Sequence, residues 1–419
     1  MTKTTERFPI EAVREQFPAT KRMHNGKPVA YLDGPGGSQV VKSSMDAMYA
    51  YMANGGANLH GPFPSSRETE QLIANAKEAV AQMFHADPEE VAFGANMTTL
   101  TYAIARALGR KWQAGDEIVV SELDHRANVD PWLAIAKDRG MTVRWLKVDP
   151  HTLTLQMDEL DTILTSKTKL IAVGLASNAV GTINNLPLLS QKAREKGILV
   201  AVDAVHATPH FAIDRDEIGA DLLLCSAYKF FGPHIGIAVI RKPLFEALDV
   251  YKLAPAPTFI PDKLETGTQN HEGIAGIRPA IEFVASFGTG DALSEKIRSG
   301  FALLEDYENQ LAEKLRNGLK KIDGLTLYQA EDHVPKTPTI AFRIDGFEPH
   351  DICTRLCEEH SIFIAYGDFY ASTLAEKLGI HENGGWIRAG LAPYNTEEEV
   401  ERLIRGLQEI VANESPSST

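Results

Sequence analysis

Cysteine is scarce: Cys225, Cys353 and Cys357 are the three in a chain of 419 residues. A disulfide framework needs more, and the last pair falls in a stretch that reads as helix, so neither disulfides nor a zinc site is expected. Positive charge is also in deficit, with 42 Lys and Arg against 56 Asp and Glu and a formal net charge of -14. The charges are interspersed, and without a basic stripe the chain offers no footprint for a phosphate backbone, which excludes nucleic acid as a partner. Long apolar runs are missing as well. None approaches the roughly 18 residues of a membrane span, and the opening MTKTTERFPIEAVREQF lacks the basic flank and apolar centre of a secretory signal. The expectation is a cytoplasmic protein with no membrane partner, free of repeats and low-complexity linkers.

What is present is an ordinary globular composition, 44% hydrophobic, in a chain longer than one core usually serves. From about residue 88 short β-branched runs alternate with helical ones: VAFGA, MTTLTYAIARAL, DEIVV, ANVDPWLAIAKDRG, TVRWLKV, KLIAVGLA, LPLLSQKAREKG, ILVAVDA, DLLLCSA. That alternation predicts an α/β fold with helices on both faces of a sheet. A charged amphipathic pattern near 292–322 then gives way to strand-like TPTIAFRI, SIFIAYG and WIRAGL and a last helix. The expected organisation is an N-terminal segment over 1–30 packing on the small domain, a large domain over 31–288 and a smaller α/β domain over 289–419. The polar tail ANESPSST is expected to fray.

The most informative stretch, Ser226-Ala227-Tyr228-Lys229-Phe230-Phe231-Gly232-Pro233, follows an apolar strand and sets one lysine among small and aromatic residues. Partial desolvation would lower its pKa and make the amine nucleophilic; a snorkelling lysine at a strand end is the plainer reading. Upstream, ILVAVDAVHATPH ends a buried strand at Asp203 with His206 just beyond, at the edge where open α/β sheets place ligands. A carboxylate there can keep a pyridinium nitrogen protonated, and a lysine Schiff base with an Asp partner is the recurring arrangement for pyridoxal 5'-phosphate (PLP). Asn96-Met97-Thr98-Thr99 opens a helix after VAFGA and reads either as a phosphate cradle or as a cap.

Together with Asp124-His125-Arg126-Ala127-Asn128, Ser177-Asn178-Ala179-Val180-Gly181 and Val202-Asp203-Ala204, these segments resemble, in order and spacing, the class V aminotransferase family, and within it the group II cysteine desulfurases and selenocysteine lyases. The resemblance implies a PLP-dependent transferase of fold type I, with a mostly parallel seven-stranded sheet and a smaller C-terminal domain. It implies a Schiff base on Lys229, His125 stacked on the cofactor ring, Asn178 and His206 bordering its phenolic oxygen, and Met97, Thr98 and Ser226 about the phosphate. Glu265 to Asn270 is similar to a turn that reaches the neighbouring subunit's phosphate, so Thr268 argues for a homodimer. Trp386 to Asn395 is similar to the stretch whose arginine binds the substrate carboxylate. Arg388 offers the planar fork for it, with Asn178, His60 and Tyr370 as further substrate contacts and no metal.

The pattern breaks at Gly367-Asp368-Phe369-Tyr370-Ala371-Ser372, where Tyr370 stands in place of the persulfide-forming cysteine of a desulfurase. Tyr228 and His206 replace a histidine and a glutamine, Gly61 and Ala365 stand where arginines often border the pocket, and Phe63, Phe369 and Tyr370 are candidate pocket walls. The expected function is a C–S or other β-elimination lyase acting on an amino acid. Class V aminotransferase or amino-acid epimerase is the alternative, and a non-catalytic PLP-binding protein a third.

Overall fold

The computed structural model describes residues 8–414. The first seven residues of the opening stretch and residues 415–419 of the polar tail lie outside that range.

Seven strands form the main sheet: β1 Val91–Gly94, β2 Glu117–Ser121, β3 Thr142–Leu146, β4 Thr168–Gly174, β5 Leu199–Asp203, β6 Leu222–Ser226 and β7 Gly236–Ile240. Their order is β1-β7-β6-β5-β4-β2-β3. β7 pairs antiparallel with both neighbours while the rest run parallel. The reason lies in the strand sequences, which are apolar on both faces. Val119, Ile171, Val202, Leu223 and Ile237 pack into one buried cluster, and their chain neighbours Ile118, Leu170, Ala201, Leu222 and Ala238 into another on the opposite face. A sheet covered on both sides by helices is the arrangement such unbroken apolar strands demand.

A second sheet of four antiparallel strands, in the order Leu325–Tyr328, Thr339–Ile344, Trp386–Gly390 and Ala365–Gly367, carries the C-terminal part. Helices Leu293–Leu319, Pro349–His360 and Glu397–Glu414 accompany it. Leu311, Leu315, Phe342, Leu356, Ile387 and Leu407 share one core with Ala30 and Leu32. The strand Ala30–Tyr31 pairs in parallel with Ile362–Phe363, so the chain's beginning is stitched to its end. No described helix is long and apolar enough to cross a membrane.

Candidate active site

The carboxyl ends of the parallel strands share one edge. In register, Asp203 lies opposite Gly174 and Leu224, and the turns that follow β1, β2, β4, β5 and β6 all reach a single cavity of about 470 Å³. Met97, Thr98, His125, Asn178, Asp203, His206, Ser226, Lys229, Tyr370 and Arg388 line it, with Asp33, Pro35, Asp124, Tyr228, Tyr366 and Phe369.

Lys229 ends the short 3-10 turn Ala227–Lys229 that terminates β6. Burial, and to a lesser degree the charge of Arg388, lower its pKa to about 8. Its Nζ donates to the carbonyl of Pro35. Asp203 is buried with a backbone N–H from Val205 at 2.8 Å on Oδ1. Among the described residues no cation forms an ion pair with it, and burial pushes its pKa up to about 7. His125 accepts the Ala127 N–H on Nδ1 at 2.9 Å, so its proton belongs on Nε2. Desolvation, then Lys229 and Arg388, lower its pKa to about 4, which keeps the ring neutral near pH 7.

The helix Met97–Gly109 opens at the cavity. Its cap is closed by Asn96, whose Oδ1 accepts the Thr99 N–H at 2.9 Å, with the Thr99 hydroxyl answering the Asn96 N–H. The capping role thus falls to Asn96 and Thr99 and leaves Thr98 on the cavity wall. Ser226 accepts the Met97 N–H at 3.0 Å, and its own hydroxyl proton can be given to an anion.

Arg388, in the middle of its strand, is buried. Its Nη1 donates to Asn178 O at 2.8 Å and Nη2 faces Asp33 at 3.3 Å. Its guanidinium lies 3.6 Å from the centroid of Phe369, while Nε has no hydrogen-bond partner among the described residues. Phe369 and Tyr370 both take left-handed backbone, φ 52 and 58, a conformation that strains bulky residues and persists when the surroundings impose it. Here Asn178 Nδ2 donates to Phe369 O at 2.8 Å and the Arg126 N–H to Tyr370 O at 2.8 Å. Asn178 is left with a buried Oδ1 that no group among the described residues satisfies.

A family model described as aminotransferase class-V matches residues 30–403. The chain belongs to that family. Class-V aminotransferases are PLP-dependent, and this member is a PLP-dependent enzyme. It is 31% identical over 421 residues to cysteine desulfurases of Yersinia pestis (strain Pestoides F) and Yersinia pseudotuberculosis (serotype O:3, strain YPIII), covering 96% of this chain and 98% of theirs. The crystal structure of the cysteine desulfurase CsdA from Escherichia coli superposes with a TM-score of 0.84 at 26% identity, over 97% of this chain and 100% of that one. The apo cysteine desulfurase from Thermococcus onnurineus NA1 gives 0.86 at 26% identity, over 98% and 99%.

The residues present fit the cofactor of the class-V family. A buried carboxylate without a cation, a buried amide oxygen without a donor, a depressed lysine and a helix N-terminus face one space. Three residues named from the sequence lie elsewhere. His60 sits in an exposed turn, its ring 3.1 Å from Glu70, and Phe63 is 46% exposed on the surface; neither lines the cavity. Thr268 borders a separate cleft with Tyr251, His234 and Arg106, because its loop runs along the outer side of β1. None of the three cysteines lines the cavity: Cys225 is in β6, and Cys353 and Cys357 are on the helix Pro349–His360. Sequence reading missed Asp33 and Pro35, which approach from the far N-terminal part of the chain, and gave no role to Asp124, named there only within its segment. Burial pushes the Asp124 carboxyl up to about 6.

Proposed function

We propose that this PLP enzyme is a β-elimination lyase that cleaves a C–S bond of an amino acid and releases the sulfur product directly, without parking it on a protein cysteine. The observation that carries this is the loop over Arg388. It presents Phe369 and Tyr370 to the cavity, and no cysteine lines that space. When bound, PLP supplies an aldehyde that captures amines and an electron-poor ring that stabilises negative charge on the adjacent carbon.

The chain's own residues divide the remaining work. Lys229 anchors the cofactor, and its amine, with a pKa of about 8 and so partly neutral at physiological pH, then takes the Cα proton. Asp203 is the buried anion for a protonated ring nitrogen. His125, neutral with its proton on Nε2, covers the ring and can donate to a leaving group. Met97, Thr98 and Ser226 receive the phosphate, and Asn178 and His206 the phenolic side of the ring. Arg388 takes the substrate carboxylate once Phe369 lifts from its face, and Tyr370 closes over the entry. For a thioether substrate the balance is addition of water to give a thiol, pyruvate and ammonium.

Three organisational readings accompany this. Residues 31–288 hold the cofactor and 289–419 supply Arg388 and the loop; of the segment ahead of them, Arg14 pairs with Glu399 at 2.8 Å while Phe17 packs against Phe231 and Phe283 as well as Tyr394, so its described part bridges both. The protein works as a homodimer in which Thr268, and His60 on its own exposed turn, face the partner's site. Its place is the cytoplasm.

The test is a panel of S-substituted cysteines, L-cysteine and L-cystine offered to the holoprotein, with pyruvate and free thiol or sulfide measured together. Stoichiometric pyruvate and sulfur product, with no persulfide on the protein by mass spectrometry, is expected. Alanine with a persulfidated protein would sink the reading, as would a keto acid matching the donor. Cα deuterium exchange without net product would point instead to epimerisation.

A further inference from the structure

Away from the active site, three metal-binding side chains meet where the hairpin strands Met23–His24 and Lys27–Pro28 lie against the helix Pro349–His360. His24 Nε2 is 3.7 Å from Cys357 Sγ and 3.8 Å from Glu358 Oε1. Sγ and Oε1 are 3.9 Å apart. The three donors therefore form a nearly equilateral triangle. Around a tetrahedral zinc ion, with Zn–S near 2.3 Å and Zn–N and Zn–O near 2.0–2.2 Å, such edges would be roughly 3.3–3.6 Å. Small side-chain rotations close the difference.

The donors are also aimed. Asn25 Nδ2 donates to Glu358 Oε2 at 3.2 Å and to the Glu358 carbonyl at 2.9 Å, which holds the carboxylate with Oε1 toward the histidine. The Ser361 hydroxyl donates to His24 O at 2.6 Å, and the His24 ring stands edge-on to Phe363 at 5.5 Å. The Asn25 bond orients a ligating carboxylate as outer hydrogen bonds do in metal centres, while the Ser361 bond and the Phe363 contact fix the His24 backbone and pack its ring.

We propose that His24, Cys357 and Glu358 bind one divalent cation of the zinc type, its fourth position open to water. A thiolate and an imidazole together select zinc over calcium or magnesium, which prefer oxygen. The ion clips the first hairpin to the helix. The hairpin leads into Ala30–Tyr31, then to Asp33, which faces Arg388, and Pro35, whose carbonyl receives Lys229. The clip therefore steadies the segment that enters the active site. It also revises the expectation of no zinc site: that expectation weighed the Cys353–Cys357 spacing, whereas the partner histidine is 333 residues away in sequence.

The test uses full-length holoprotein, stripped with a chelator, desalted and titrated with zinc chloride. One equivalent should bind, X-ray absorption at the zinc edge should show one sulfur neighbour at about 2.3 Å, and the melting temperature should rise. His24→Ala and Cys357→Ser should each weaken uptake by about tenfold or more while leaving the cofactor absorbance intact. Zinc uptake equal in wild type and both variants, zinc bound without a sulfur neighbour, or no uptake by the wild type would each overturn the proposal.

Discussion

At the residue scale the active site is defined by charges held where water cannot balance them. Lys229 is the clearest, since only a neutral amine attacks an aldehyde and burial brings its pKa to about 8. Cofactor uptake by the cofactor-free protein, followed by stopped-flow absorbance, should therefore accelerate by about tenfold per pH unit below pH 8 and level off above it. An ordinary lysine would keep accelerating to far higher pH. Asp203 gives the complementary prediction. Its carboxyl is raised from 3.8 to about 7 in the folded chain, so its contribution to cofactor-free stability is full below pH 3.8 and is lost as pH climbs through 7. Asp203→Asn should then unfold at higher denaturant than wild type at pH 8, by on the order of 2–4 kcal/mol, and match it near pH 4. The same variant should bind PLP more weakly at every pH, because the ring nitrogen loses its anion. A variant no more stable than wild type at pH 8 would show that Asp203 is already satisfied within the protein.

At the scale of elements, the position of the helix Met97–Gly109 depends on a glycine in a neighbouring strand. A Cβ on Gly236 would stand 2.3 Å from the backbone carbonyl carbon of Asn96, and backbone cannot rotate aside as a side chain can. Gly236→Ala should push the start of that helix off the cavity. Expected are a loss of roughly 1–3 kcal/mol in urea unfolding and a larger proportional loss of PLP affinity, read by equilibrium titration; unchanged affinity would show that the helix start does not serve the phosphate. What the sequence could reveal at this scale follows the same logic. Strand–turn segments such as Asp203-Ala204-Val205-His206 and Ser226 to Lys229 were legible because apolar periodicity marks the strand and the polar residue just past its end marks the sheet's edge. Asp33 was not legible: it meets Arg388 across 355 positions of sequence, through pairing of Ala30–Tyr31 with Ile362–Phe363 that leaves no local pattern. Nor was the seat of Phe369 on the Arg388 guanidinium, which follows from two left-handed residues that a sequence of bulky aromatics does not advertise. His60 was named as a substrate contact and Phe63 as a pocket wall, but the side chains of both are largely or substantially exposed and neither lines the cavity.

At the scale of the molecule, several of the contacts that join the two sheets' surroundings cross at the cavity: Asn178 to Phe369, Arg126 to Tyr370, and Arg388 back to Asn178. His206 belongs to this seam, its Nε2 3.1 Å from the hydroxyls of both Thr337 and Thr339, and so does the fully buried pair of His210 and Glu308 at 2.9 Å. Thr268 stands apart from this seam, exposed on a loop of its own. The surface around it is unusually apolar for one exposed to water. Tyr251, Leu253 and Phe259 are 57%, 66% and 62% exposed, and the helix Lys42–Ala53, tied to the end of the short helix His271–Ala275 by Ser44 donating to Gly276 O at 2.7 Å, exposes Tyr49 and Met52. Exposed aromatic and aliphatic side chains of this kind are what protein–protein contact surfaces typically present. If a second copy covers it, Thr268 serves a site whose lysine belongs to the partner, and this has a consequence that no single-chain role shares. Thr268→Glu should abolish cofactor retention in its own homodimer by placing a negative charge against the phosphate, and Lys229→Ala should do so by removing the anchor. Unfolded together and refolded as mixed dimers, the two inactive variants should recover one good site per dimer, with Lys229 from one chain and Thr268 from the other. Light scattering should report twice the chain mass, and cofactor absorbance should return to about a quarter of wild type, since about half the dimers are mixed by random pairing and each holds one intact site of two. Absorbance that stays at zero in a preparation shown to contain mixed dimers would mean that Thr268 acts on its own chain.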